Sequence, residues 1–236
     1  MFNPNPQITA LPIDAQHNCY VIDGALTEPQ RWVEYAANYQ QEFRSEGFNA
    51  YPGVELRMPD GVSQRLDEFF MLYIRDLLGA RRTLRMYSRL AMVTTQPEQL
   101  EPRQWICHRD RMGVPPEQCV AASVLYLFKD DAFGGTSFFK ARRSAAEIDL
   151  LVHDSGTMSR DAFASKYALG AGYLTESNAF FEKTLTVSAR WNRIIFYDGS
   201  LFHCSHITAP DRLSADPRMG RLSLNGFFTC RRSLGI

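Results

Sequence analysis

The order of periodicities along the chain predicts an α+β fold: a small barrel or double-sheet jelly roll backed by two helices. Three observations carry this. Two amphipathic helical segments fall within the first 80 of 236 residues; the apolar spacing then changes to two; and Gly- and Asp-containing clusters, notably "KDDAFGG" and "YDGS", cut the remainder into strand-sized pieces.

The elements follow in chain order. "NCYVIDGALTEPQRWVEYAANYQ" reads as a strand and then a helix. Thr27 is placed as its N-cap, Gln30 closes a capping box, and Pro29 is tolerated in the first turn. "VSQRLDEFFMLYIRDLLG" places Leu66, Phe69, Phe70, Tyr73, Ile74, Leu77 and Leu78 at helical spacing. Gly79 stands where a left-handed helix terminus belongs. "RTLRMYSRLAMVTT", "VAASVLYLF" (120–128), "GTSFFKA" (135–141), "RWNRIIFYDG" (190–199) and "GRLSLNGFFTC" (220–230) read as strands. A polar helical insert is expected between 142 and 189, in the pieces "SAAEIDLLVHD", "SRDAFASKYAL" and "TESNAFFEKTL". Nothing repeats. The chain reads as a single domain, 1–236, with supporting elements in 1–80 and the strand-rich core in 81–230.

Composition excludes several classes. With 26 basic and 26 acidic residues the net charge is zero, so no global field favours nucleic acid or an anionic membrane. No apolar run approaches spanning length, and the N-terminus has no secretory leader pattern. Five cysteines without a CxxC pair argue for a reducing, cytoplasmic setting with free thiols. There is no GxGxxG, P-loop or GxSxG.

The chemistry-bearing stretch is "QWICHRDRM". On a strand, His108 and Asp110 point to the same side. One imidazole and one carboxylate are two corners of a facial triad; a second histidine completes the set that non-haem Fe(II) oxygenases use with open positions for cosubstrate and O₂. Of the other histidines, His203 and His206 lie together in "FYDGSLFHCSHI". On an extended strand they face opposite ways, so one is the ligand and the other its rival. Arg221 and Ser223 share a strand face, a suitable receptor for one carboxylate of a small diacid. A mid-strand arginine among apolar neighbours needs an anionic partner, either a ligand or a structural one such as Asp198 or Asp211.

In this order the residues resemble the Fe(II)- and 2-oxoglutarate-dependent dioxygenase superfamily, in its prolyl-hydroxylase-like and phytanoyl-hydroxylase-like branches. The match is to a bacterial-type group and covers roughly 84 to 229. The resemblance implies a double-stranded β-helix (cupin-like jelly roll). It implies His108, Asp110 and His203 as Fe(II) ligands, with His206 as the rival third ligand. Arg221 and Ser223 would hold the distal carboxylate of 2-oxoglutarate, and Tyr126 would add a hydroxyl there. "FGGT" matches the glycine pair that turns the next strand back. The 18 residues from His203 to Arg221 are more than the pattern has; from His206 there are 15.

The implied reaction converts 2-oxoglutarate and O₂ to succinate and CO₂ while oxidising an unidentified small-molecule or peptidyl substrate. Asp110 fills the position that a halide would need, which favours hydroxylation over halogenation. The competing reading is a non-catalytic metal- or diacid-binding module, including a closed Zn site using His203 and His206 together, or an interaction scaffold. Trp105, Trp191 and the paired phenylalanines read as core or pocket lining.

Overall fold

The computed structural model describes residues 1–45, 50–110 and 114–233. Ten strands and four helices follow in the order β1 (Thr9–Pro12), β2 (Asn18–Asp23), α1 (Gln30–Asn38), β3 (Gly53–Arg57), α2 (Asp60–Tyr73), β4 (Ala80–Val93), β5 (Gln118–Tyr126), β6 (Thr136–Ala141), α3 (Ala145–Thr157), α4 (Arg160–Tyr167), β7 (Phe181–Val187), β8 (Arg193–Asp198), β9 (Phe202–Ser205) and β10 (Arg221–Arg232). They form an antiparallel seven-stranded sheet, ordered β1-β2-β8-β5-β10-β4-β3, and a three-stranded sheet, β7-β6-β9.

Strand alternation sorts the core into layers. On β8, Ile194 and Phe196 face the helices, where they meet Val33 and Ala36 of α1 and Leu66, Phe69 and Phe70 of α2. Ile195 and Tyr197 face the other way, toward Phe138 and Val187 of the small sheet. On β10, Leu222, Leu224 and Phe228 go to the helix side, and the Phe228 ring stacks 4.1 Å from Phe70. The alternate residues, Arg221, Ser223, Asn225 and Phe227, are thereby left to line the space between the sheets. Phe139 and Phe181 of the small sheet pack on its outer side against α3 and α4 through Ile148, Leu151 and Phe163.

Several expectations are corrected. "TESNAFFEKTL" is not helical: Phe181–Val187 is an edge strand of the small sheet, and the insert between β6 and β7 carries two helices, not three. Buried Phe181 and Val187 anchor the strand's ends, and its exposed edge is polar, which mimics an amphipathic helix in sequence. Thr27 does not cap α1. Its hydroxyl donates to the Met1 carbonyl as the N-terminus docks beside it, and the helix starts at Gln30. The second helix stops at Tyr73; Arg75–Leu78 tightens to a 3₁₀ turn ending at Gly79, which has φ 63° as its C′ role requires. β1, β3 and β9 had been missed; each is five residues or fewer. The first 80 residues supply three strands of the large sheet, as well as the supporting helices.

A small charge cluster pins β2 to β8. Asp23 accepts from Arg193 at 2.6 and 2.9 Å and from Arg190 at 3.1 Å. The Arg193 hydrogen bonds hold the Asp23 carboxyl below its ordinary value. A depressed carboxylate pKa stabilises the fold above the unfolded pKa, and that stability is lost as pH falls through the folded value. Wild type should therefore melt above Asp23→Asn near neutral pH, and the gap should close as pH falls below the ordinary aspartate range. Asp23 is 46% exposed, so the effect is small, about 1 kcal/mol at most. Thermal melts across pH check this.

Candidate metal centre and cosubstrate pocket

His108 and Asp110 are not on a named strand, in contrast to the expectation. They lie in an extended connection after two 3₁₀ turns, with His108 bridged to His203 of β9. His108 and His203 exchange backbone hydrogen bonds (3.0 and 2.9 Å), and the Asp110 amide donates to the Gly199 carbonyl at 2.7 Å. The extended geometry still puts both side chains on one face, and the bridge brings in His203. The His108 and His203 rings lie 4.5 Å apart. Asp110 Oδ1 is 3.7 Å from His108 Nε2, and Oδ2 is 3.4 Å from His203 Nε2. One ligand atom from each of the three falls within 4.8 Å of the others.

His203 is oriented from behind. Its Nδ1 is 2.9 Å from the Leu201 carbonyl, which can only accept, so Nδ1 donates there and Nε2 is turned toward Asp110. Tyr197 holds the ring edge-on at 4.7 Å. Asp110 Oδ2 is buried without a hydrogen-bond partner. Burial raises the Asp110 pKa. A cation at the convergence point would relieve all three groups, and two imidazoles with one carboxylate on one side suit a metal with open positions. Only His108 keeps substantial exposure (42%, against 6% for His203 and 11% for Asp110), so the opening lies on its side.

Gly199 makes room for this arrangement. A Cβ there would stand 3.1 Å from Asp110 Cβ and from Val120 Cγ1. Gly199→Ala should weaken metal binding about tenfold by displacing Asp110, while lowering stability by only about 1–3 kcal/mol. Paired metal titration and urea unfolding separate the two effects.

Arg221 and Ser223 line the same cavity, which encloses about 490 Å³ of space partly open to solvent. Arg221 is 2% exposed. Its Nε donates to the Phe133 carbonyl (3.1 Å) and Nη2 to the Gly135 carbonyl (2.7 Å), with Phe128 under the guanidinium at 5.4 Å. Neither Asp198 nor Asp211 pairs with it, and among the described residues no carboxylate does. The charge is thus fixed in place and uncompensated. The glycine pair of "FGGT" makes this possible: a Cβ on Gly134 would fall 1.7 Å from the His206 carbonyl oxygen, and one on Gly135 1.8 Å from that of Val187. Only bare backbone can thread there and offer its carbonyls to Arg221.

The remaining sequence candidates are set further back. Tyr126 is fully buried and bonds Thr136 Oγ1 at 2.8 Å; Thr136, not Tyr126, lines the cavity. His206 turns away to Ser137 Oγ (3.0 Å) and is outside the triad. Sequence reasoning missed Tyr51, Arg89 and Asn225 of the lining. Arg89 and Asn225 had a usable signal, being polar residues at period two within apolar strands, as Arg221 is. Tyr51, in a connection, had none. Burial pushes the Tyr51 phenol up to about 12, with Arg221 and a Ser223 hydrogen bond pulling the other way.

Among solved structures, the non-heme alpha ketoglutarate dependent carbocyclase SnoK from nogalamycin biosynthesis superposes with a TM-score of 0.52 at 14% identity, over 91% of this chain and 82% of that one. The epimerase SnoN from the same biosynthesis gives 0.49 at 12% identity, over 92% and 81%. HygX from Streptomyces hygroscopicus, with nickel and 2-oxoglutarate bound, gives 0.46 at 11%, over 90% and 82%. The fold is therefore that of SnoK, a non-heme enzyme's fold. The chain itself belongs to DUF6445, described as a family of unknown function, whose model matches residues 4–228. No curated protein matches in sequence. Among the described residues no helix is long and apolar enough to cross a membrane.

Proposed function

We propose that this protein is an Fe(II)- and 2-oxoglutarate-dependent oxygenase in which the two sheets act as a double-stranded β-helix and 1–236 as a single domain. The observation that carries the reading is the pairing, in one cavity, of a convergent two-histidine, one-carboxylate cluster with a buried, uncompensated Arg221. His108, Asp110 and His203 would hold the metal; Arg221 and Ser223 would take the distal carboxylate of 2-oxoglutarate. The cosubstrate in the name of SnoK supports the same reading. Bound there, iron with 2-oxoglutarate and O₂ would supply an oxidant that no side chain of the protein can provide.

The chain's own residues do the rest. Leu201 and Tyr197 fix the His203 ring so that Nε2 faces the centre. Gly199 sets the position of Asp110 through its carbonyl. Arg221, tied to two carbonyls, neutralises and orients the cosubstrate's far end without having to reorganise. Phe128, Phe133 and Phe138 keep that end dry. Asp110 would occupy a ligand position, which favours hydroxylation, or another oxidation such as desaturation, of a small-molecule or peptidyl substrate over halogenation. Aerobic incubation with Fe(II) and 2-oxoglutarate should release succinate, and His108→Ala and Asp110→Ala should abolish that release with the fold intact. Succinate formed equally by the variants would refute the assignment.

A further inference from the structure

The lining of the cavity holds a second polar pair, Arg89 and Asn225, apart from Arg221. Arg89 on β4 stands directly opposite Asn225 on β10. Arg89 lies over the Phe227 ring at 4.6 Å and near Tyr51 at 5.7 Å, so its guanidinium plane is fixed. Its Nη1 donates to Glu55 Oε2 at 2.7 Å, while Nε is buried without a partner. Asn225 is 7% exposed, and its Oδ1 is buried without a partner. A buried donor and a buried acceptor, both unsatisfied and side by side, carry a desolvation cost that a ligand can recover.

The carboxylate end that Arg221 would hold is remote from this pair. Asn225 is four residues from Arg221 on an extended strand, about 13 Å along it, and Arg221 leans the other way, onto the carbonyls of Phe133 and Gly135. The Arg89 pair lines the same cavity as His108, Asp110 and His203. A group held here lies next to the metal position.

Charge narrows the class of that group. Among the described residues Arg221 has no counter-ion, whereas Arg89 has Glu55, whose side chain is only 5% exposed. A carboxylate at Arg89 would meet Glu55 as a like charge in a poorly solvated place. A neutral group that accepts from Arg89 and donates to Asn225 meets no such penalty. A flat group with one acceptor and one N–H donor, between aromatic faces, is an amide. Resting on the oxygenase reading for its role, we infer that Arg89 and Asn225 form a substrate subsite for a neutral amide, as in a peptide or an acylated amine, and so position the substrate beside the metal.

The probes are a simple amide, N-methylacetamide, and a carboxylic acid of similar size with no amide, propionic acid as its anion, titrated by ligand-observed NMR into the protein without metal or cosubstrate, and again with Fe(II) and 2-oxoglutarate under anaerobic conditions. The amide should bind at least tenfold tighter than the acid in both settings. Asn225→Ala and Arg89→Lys should each weaken the amide about tenfold, the lysine because it keeps the charge for Glu55 but loses the guanidinium fork. Thermal melts confirm that both variants fold, and Tyr87→Phe, on the ring beyond Phe227, is a control expected to change nothing. Equal binding of amide and acid, no detectable binding of the amide, or amide affinity unchanged in both variants would overturn the inference. Amide selectivity that persists in a protein unable to bind iron would sustain the subsite and sink the oxygenase reading; iron and 2-oxoglutarate binding without amide selectivity would do the reverse.

Discussion

Arg221→Leu will lose about 2–6 kcal/mol of unfolding free energy and all measurable affinity for 2-oxoglutarate. The two losses have one source. The carbonyls of Phe133 and Gly135 lie in a buried loop, and the guanidinium is their partner. Each buried acceptor left unsatisfied costs about 1–3 kcal/mol. The cation is also uncompensated, so removing it takes away the charge that selects a diacid. Arg221→Lys separates the roles: an ammonium keeps the charge but cannot bridge both carbonyls in a fixed fork. It should recover part of the stability and leave 2-oxoglutarate binding weakened at least tenfold. Urea unfolding and calorimetric titration read the two effects. A leucine variant as stable as wild type would show that the loop finds its partners elsewhere.

Gly134→Ala should be at least as damaging, although glycine carries no chemistry. At φ 67° and ψ −173° the backbone occupies a region that essentially only glycine enters, with strain of about 1–3 kcal/mol for another residue. The added Cβ would meet the His206 carbonyl at 1.7 Å, backbone that cannot rotate away. Overpacking adds about 1–3 kcal/mol more, against a total stability of roughly 5–15 kcal/mol for an ordinary domain. Gly24→Ala is the control: its φ is 65°, but nothing lies within 4 Å of the added carbon. It should cost about 1–2 kcal/mol, the left-handed backbone alone. Differential scanning calorimetry of the pair distinguishes threading from backbone conformation; equal melting points would contradict the account.

Much of this was legible in the residues because the signals were long or chemically unusual. The fourteen residues of β4 and the helical stripe around Phe69 and Phe70 have periodicity enough to read. Arg221 stood out as a charge among leucines, and the glycine pair as a turn. Other features depend on partners distant in sequence. Thr27 had ideal capping chemistry, but Met1 took its hydroxyl. β7 looked helical because its polar residues face solvent along an edge and only its ends are buried. The choice between His203 and His206 turns on the backbone bridge to His108, and local sequence does not contain it. Arg89 was equally visible as a strand charge; what gives it meaning is its pairing across the sheet with Asn225 and Glu55.

The central claim is most directly tested by anaerobic titration of the protein with Fe(II) and 2-oxoglutarate, following the weak visible charge-transfer absorption of the chelate. The account predicts a band that saturates at one iron per chain, is absent in His108→Ala and His203→Ala, survives in His206→Ala, and needs far more 2-oxoglutarate in Arg221→Lys. No band in a folded wild-type protein, or a band that His206→Ala removes and His203→Ala leaves intact, would contradict it.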